Sequence, residues 1–206
     1  MNVSCLESCF KQCQSGSDYA GRYFSYLSGL FEHIDVNVIE KIITTFEEAA
    51  EKNKAIYFIG NGGSAVTASH LARDIGIGTR APGLKPYKTI SLVDNMAVIT
   101  AIANDEEFTN VFIRQLEAVL ETRDVVFALS VSGNSPNIIE AIKYAKKHRA
   151  FTIGCTGFDG GALKKLVDIS IHIPTPRGEY GPVEDIFMIV GHLVTSYLRM
   201  NRCGHL

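Results

Sequence analysis

A short apolar run, a loop of small residues and then a helical pattern recur along most of this chain. Ala55–Ile59 leads into Gly60-Asn61-Gly62-Gly63-Ser64 and a helix-like stretch from Ala65 to about Asp74. Thr89–Val93 leads into Asp94-Asn95 and a helix over Met96–Ala103. Val125–Leu129 leads into a serine-rich loop and a helix opened by Pro136. Phe151–Cys155 leads into Thr156-Gly157-Phe158-Asp159-Gly160-Gly161 and a short helix, Ala162–Leu166. Ile169–Ile173 reads as a last, edge strand, and a long apolar helix follows over about Val183–Leu198. Short continuous apolar runs suit strands covered on both faces, and strands that alternate with helices are joined in parallel. The predicted fold is α/β: a doubly wound, five-stranded, mostly parallel sheet flanked by helices. In such sheets ligands sit beyond the carboxyl ends of the strands. That edge would gather the loops at 61–64, 94–95, 130–135 and 156–161.

Residues 1–54 read differently. Tyr19, Tyr23, Tyr26, Leu27 and Leu30 recur at helical spacing, and so do Val38, Ile39, Ile42, Ile43 and Phe46, with Asp35 as a cap between two helices. The first of these helices has more aromatics than its own core needs, which points to subunit packing. Residues 55–206 would form the ligand-binding unit, within a single structural domain overall. At 206 residues, one domain with a real core is the simplest reading. A net charge of -2 without a basic run argues against nucleic acid as the main ligand. No apolar run approaches a membrane span, and the N-terminus lacks the apolar core of a signal peptide, so a cytoplasmic protein is expected. Cys5, Cys9 and Cys13 fall four apart on one helical stripe, where packing is a simpler reading than metal or redox chemistry. Five cysteines, an odd number, argue against a disulfide framework.

The loop after Leu129 is the most informative stretch. Ser130, Ser132 and Ser135 place three hydroxyls in six residues; Gly133 can take a positive φ; Ser135 stands where a helix N-cap belongs, just before Pro136. Free amides at a helix N-terminus and converging hydroxyls make an anion site, and phosphate is the commonest anion of that size. The glycine turn at 60–63 has neither the dinucleotide-binding spacing nor a Walker lysine, so a small phosphorylated ligand suits these loops better than a nucleotide.

His70 and Asp74 lie four apart on the helix after the glycine turn, on one face. They could share a divalent metal or bond to each other. On the last helix Asp185 and His192 are two turns apart, nearly on one face, while Glu184 is rotated from His192 by about 80° on an ideal helix. These residues alone leave metal binding and plain surface pairing both open.

Taken in order, GNGGS at 60–64, His70-Leu71-Ala72, Ala103-Asn104-Asp105, Leu129-Ser130-Val131-Ser132-Gly133-Asn134-Ser135, Thr156-Gly157-Phe158-Asp159-Gly160-Gly161 and Glu184-Asp185-Ile186 resemble the motifs of the SIS (sugar isomerase) domain family, in its phosphoheptose isomerase branch. The resemblance runs from about Tyr57 to Leu198. It implies that Ser130, Ser132 and Ser135 hold a phosphate with help from the Val131 amide. It implies that Asn61, Gly62, Gly63 and Ser64 line the sugar site and that Asp94 and Asn95 bind sugar hydroxyls. It also implies zinc held by His70, Asp74, Glu184 and His192, with Asp74 and Glu184 touching substrate as well. Asp at 74 and Glu at 184 depart from the Glu and Gln usual in the family.

The implied activity is aldose–ketose isomerisation of sedoheptulose 7-phosphate through an enediol, with Asp74 as base and His192 as partner acid/base, in a homotetramer whose subunits complete one another's sites. The competing readings are a non-catalytic scaffold of the same family that binds the replication initiator protein, a sugar-phosphate sensor, and an isomerase of another phosphosugar. Retention of His192, which the scaffold branch tends to lose, favours an enzyme.

Overall fold

The computed structural model describes residues 5–204. Its sheet has five strands, β1 (Ala55–Gly60), β2 (Lys88–Ser91), β3 (Val125–Ser130), β4 (Phe151–Thr156) and β5 (Ile169–His172), in the order β2-β1-β3-β4-β5. Every pairing is parallel, so the expected sheet is observed, with β5 at an edge. The central strands β1, β3 and β4 alternate their side chains between two buried faces, as period two requires. Ile56, Phe58, Val125, Phe127, Ile153 and Cys155 enter one core; Tyr57, Ile59, Val126 and Ala128 enter the other.

The first core is covered by α3 (Val36–Glu51), α4 (Gly63–Gly78) and α9 (Tyr180–Arg202), through residues such as Ile42, Leu71, Ile75 and Ile186. At its centre Phe46, Phe58 and Phe127 meet with ring centroids 5.3 to 6.3 Å apart, pairs each worth roughly 0.5–1.5 kcal/mol beyond area burial. The second core is covered by α5 (Met96–Asp105), α6 (Ile113–Val119), α7 (Pro136–Lys147) and α8 (Leu163–Leu166). The chain leaves β1 toward β2 on one side and returns through β3 toward β4 on the other. The strand order therefore reverses between β1 and β3, and a crevice opens beyond Gly60 and Ser130, the usual ligand position in such a sheet.

Three helices precede β1 among the described residues, where the periodicity predicts two: α1 (Cys5–Lys11), α2 (Gly16–Leu30) and α3. The added break is made by Ser15, whose side chain accepts from the Asp18 N–H at 3.2 Å and caps α2. Asp35 caps α3 as expected, accepting from the Asn37 N–H at 2.9 Å. Two tyrosines of α2 reach the start of the last helix. Tyr23 Oη donates to Asp185 Oδ2 and Tyr26 Oη donates to Glu179 Oε2, each at 2.5 Å. Glu179 also accepts from the Leu6 N–H, which ties α1 to the same corner. No described helix is long and apolar enough to cross a membrane.

Candidate active site

The serine loop turns tightly at Gly133. Its φ is +62, its N–H donates to the Ser130 carbonyl at 2.9 Å, and a Cβ there would run into the Gly160 carbonyl. Ser135 occupies the N-cap position of α7 ahead of Pro136, yet its side chain makes no capping bond; the nearest hydroxyl is Ser130 Oγ at 3.5 Å. Ser132 Oγ accepts from the Asn134 N–H at 3.3 Å, so the three hydroxyls are gathered in one loop with only local partners among the described residues. Val131 buries its side chain in the core at 4% exposure, and its carbonyl accepts from the Gly157 N–H at 2.8 Å, so the loop is braced by the 156–161 turn. The cavity in front of the loop is about 480 Å³ and is lined by Ser132, Asn134, Ser135, Phe158, Asp159, Thr175 and Arg177.

The glycine turn lies beside it. Asn61 and Asn137 exchange two amide hydrogen bonds, each 2.9 Å, and so lock the end of β1 to the first turn of α7. Gly62 takes φ +56 and Gly63 opens α4. A side chain at Gly63 would collide with the Glu184 carboxylate, and Ser64 Oγ donates to Glu184 Oε1 at 3.4 Å. The N-terminal ends of α4 and α9 therefore meet at the crevice. On the neighbouring loop, Asp94 accepts from Ser91 Oγ at 3.0 Å, and Asn95 Oδ1 caps α5 by accepting from the Val98 N–H at 3.2 Å.

Two turns further along the seam, α4 and α9 bring three candidate ligands together. His70 Nε2 stands 2.9 Å from Asp74 Oδ2 and 3.0 Å from His192 Nε2, while His192 Nε2 is 3.9 Å from Asp74 Oδ2. Ligand atoms of the three residues lie within 4.8 Å of one another, and no other such group of histidine, cysteine and acidic residues occurs among the described residues. Burial pushes the Asp74 carboxyl up, but its hydrogen bond and charge contact with Arg73 and its contact with His70 outweigh this and hold it below the usual range. Glu184 stands apart from the trio, two turns earlier on α9 and over Gly63. A second cavity, of about 430 Å³, opens beside the trio and is lined by Arg73, Asp74, His192, Thr195, Ser196 and Arg199 among others.

Residues that sequence reasoning passes over also face this region. Asn137 is 1% exposed and reads in the sequence as an ordinary helix residue. Thr175 and Arg177 lie in an irregular stretch without periodicity, and only the fold carries them to the serine loop.

Residues 22–157 match the SIS domain family. A phosphoheptose isomerase of Trichlorobacter lovleyi is 40% identical over 155 residues, covering 73% of this chain and 76% of that protein. A phosphoheptose isomerase of Nitratiruptor sp. is 36% identical over 154 residues, covering 73% and 79%. The solved structure of the phosphoheptose isomerase GmhA from Neisseria gonorrhoeae superposes with a TM-score of 0.80 at 26% identity, covering 89% of this chain and 98% of that one.

Proposed function

This chain belongs to the SIS domain family, in its phosphoheptose isomerase branch, and on that premise we propose that it interconverts sedoheptulose 7-phosphate and D-glycero-D-manno-heptose 7-phosphate through an enediol. The observation that carries the reading is the convergence of His70, Asp74 and His192 on the same two helices whose N-terminal ends flank the crevice. From Gly63 to His70 the rise along α4 is about 10 Å, which separates a sugar-binding end from a reacting end.

Ser130, Ser132 and Ser135 hold the phosphate through their hydroxyls, helped by the Val131 amide and the α7 N-terminus. The sugar then lies along Asn61, Gly62, Gly63 and Ser64, with Glu184 over the glycine turn and Asp94 and Asn95 toward its hydroxyls. Binding energy from the phosphate, remote from the reacting carbons, orients the carbonyl end at the trio. Asp74, held as a carboxylate by Arg73 and His70, takes the proton from the carbon next to the carbonyl and returns it to the adjacent carbon. His192 moves the proton between the two oxygens through a ring nitrogen that a bound metal would leave free.

Two imidazoles and a carboxylate with an open side fit a catalytic zinc, with His70, Asp74 and His192 as ligands and Glu184 reaching toward it from the sugar side. Such an ion supplies Lewis acidity that polarises the carbonyl and hydroxyl oxygens.

The assembly we propose is a cytoplasmic homotetramer in which residues 1–54 pack between subunits and residues 55–206 bind the phosphosugar. Supporting it, Ile189, Leu193, Tyr197 and Met200 expose an apolar stripe along α9 beside His192, and Phe10 and Phe24 are exposed on α1 and α2. The test of the reaction is incubation with sedoheptulose 7-phosphate and zinc, followed by NMR. Appearance of the aldoheptose 7-phosphate is expected; a folded protein that leaves the ketose unchanged would contradict the assignment.

A further inference from the structure

The cavity in front of the serine loop has a second wall, on the segment that joins β5 to α9. Arg177 and Thr175 form part of it and line the same cavity as Ser132 and Ser135. Arg177 is exposed, and its guanidinium has no hydrogen-bond or ion-pair partner among the described residues. Thr175 is 8% exposed, and its hydroxyl is enclosed without a partner among the described residues. Buried hydroxyls are nearly always paired, because an unpaired one carries its full desolvation penalty. Rotation about a single side-chain bond is enough to redirect this one. The acid on the cavity wall, Asp159, has Oδ1 engaged by the Gly161 N–H at 3.1 Å. An unpaired cation, an unpaired hydroxyl and the N-terminus of α7 thus face one space.

We propose that Arg177 and Thr175 are specificity-determining residues that complete the phosphate site. Arg177 pairs with the phosphate dianion held by the serines, and Thr175 Oγ1 donates to one of its oxygens. This rests on the reading of the chain as a phosphosugar isomerase, and it adds what the serines alone lack. Hydroxyls and amides bind an oxyanion, whereas a guanidinium discriminates a dianion from a neutral sugar through charge-assisted, directional bonds. Near neutral pH a phosphate monoester carries roughly −1.5 to −2 charges, so this discrimination is available under working conditions.

Calorimetric titration with inorganic phosphate and with sedoheptulose 7-phosphate tests the proposal on the full chain and on Arg177→Met, Arg177→Lys and Thr175→Val, with turnover measured alongside. Arg177→Met is expected to weaken both ligands by about tenfold or more, and Arg177→Lys to recover part of the loss. The KM should rise with kcat within about twofold. Thr175→Val should weaken both ligands several-fold while raising the Tm in phosphate-free buffer, a combination that a merely structural threonine would not give. Phosphate affinity within about twofold of the parent in both Arg177→Met and Thr175→Val overturns the proposal, and with turnover intact the isomerase reading stands. The expected losses in a parent protein that never converts the heptulose phosphate would establish the anion site and reject the isomerase reading instead.

Discussion

His70 and His192 face each other Nε2 to Nε2 at 3.0 Å across the seam of α4 and α9, with their ring centroids 5.0 Å apart. They are 122 residues apart in sequence. A neutral imidazole has one donor and one acceptor nitrogen, so this pair can bond to itself only if one ring offers a bare nitrogen. A cation between the rings would let both act as acceptors together with Asp74. Helix packing sets the spacing: the backbone of Gly191 lies against Leu71, and a Cβ at 191 would enter the Leu71 side chain.

Gly191→Ala is therefore expected to damage the site through packing. Overfilling a close helix contact costs roughly 1–3 kcal/mol, and the shift falls on the residue next to His192. Urea denaturation should show the destabilisation, and calorimetry should show weakened zinc binding. Zinc affinity at the parent level in a destabilised protein would show that the seam does not set the ligand spacing.

Asp74→Asn retains the side chain's shape and removes its charge. Turnover is expected to fall by about 10²-fold or more, the contribution of a positioned base, while sedoheptulose 7-phosphate still binds through the serine loop. Steady-state kinetics and calorimetry on one preparation separate the two effects. Unchanged kcat would remove Asp74 from the proton transfer.

Asn137→Ala should cost stability, because Asn137 makes both amide bonds to Asn61 and is almost wholly enclosed. The half-buried Asn61 amide then loses both bonds, and the full cost of about 1–3 kcal/mol for a buried unpaired group is an upper bound. The same change frees the glycine turn from the serine loop, so the KM should rise as well. Thermal unfolding and kinetics together check this; a loss of stability with KM unchanged would uncouple the two loops.

Asp168 gives the fold a pH-dependent contribution away from the site. Burial raises its carboxyl, but the ammonium of Lys146 at 2.7 Å and the Thr152 hydroxyl and N–H at 2.7 and 2.9 Å outweigh this and lower it. A carboxyl lowered in the folded state stabilises at pH above its unfolded value of about 4, and that contribution fades as the pH falls through the folded value. Asp168→Asn should lose no more than about 1 kcal/mol near neutral pH, since the pair is partly solvated. The deficit should shrink in urea titrations as the pH is taken from neutral to below the unfolded value of about 4. A deficit of equal size at both pH values would show that shape, and not charge, is responsible.

The central strands β1, β3 and β4 are legible in the sequence because each is a short run of mostly apolar residues buried on both faces; the edge strands β2 and β5 are only partly buried and are recognised by their place in the alternation of strand and helix. Ser135 ahead of Pro136 announces the turn into α7 for the same local reason. His70 and Asp74 can be paired from their spacing, but bringing His192 to them depends on how α4 crosses α9, and Gly191 reveals that crossing only once Leu71 is seen against it. Glu184 lies over Gly63, two turns before His192 on α9, and only the packing of α4 against α9 shows which part of the crevice it faces. Asn137 and Arg177 have no local signature at all, because what they face comes from other parts of the chain.

The central claim is that the serine loop and the His70–Asp74–His192 cluster are two ends of one catalytic site. The most direct measurement is sedoheptulose 7-phosphate turnover and binding by protein stripped with a chelator, with metal content determined, before and after zinc is restored. The account predicts that the stripped protein still binds the phosphosugar but does not convert it, and that zinc near one equivalent per chain restores conversion. Full conversion by protein shown to hold no metal would contradict it.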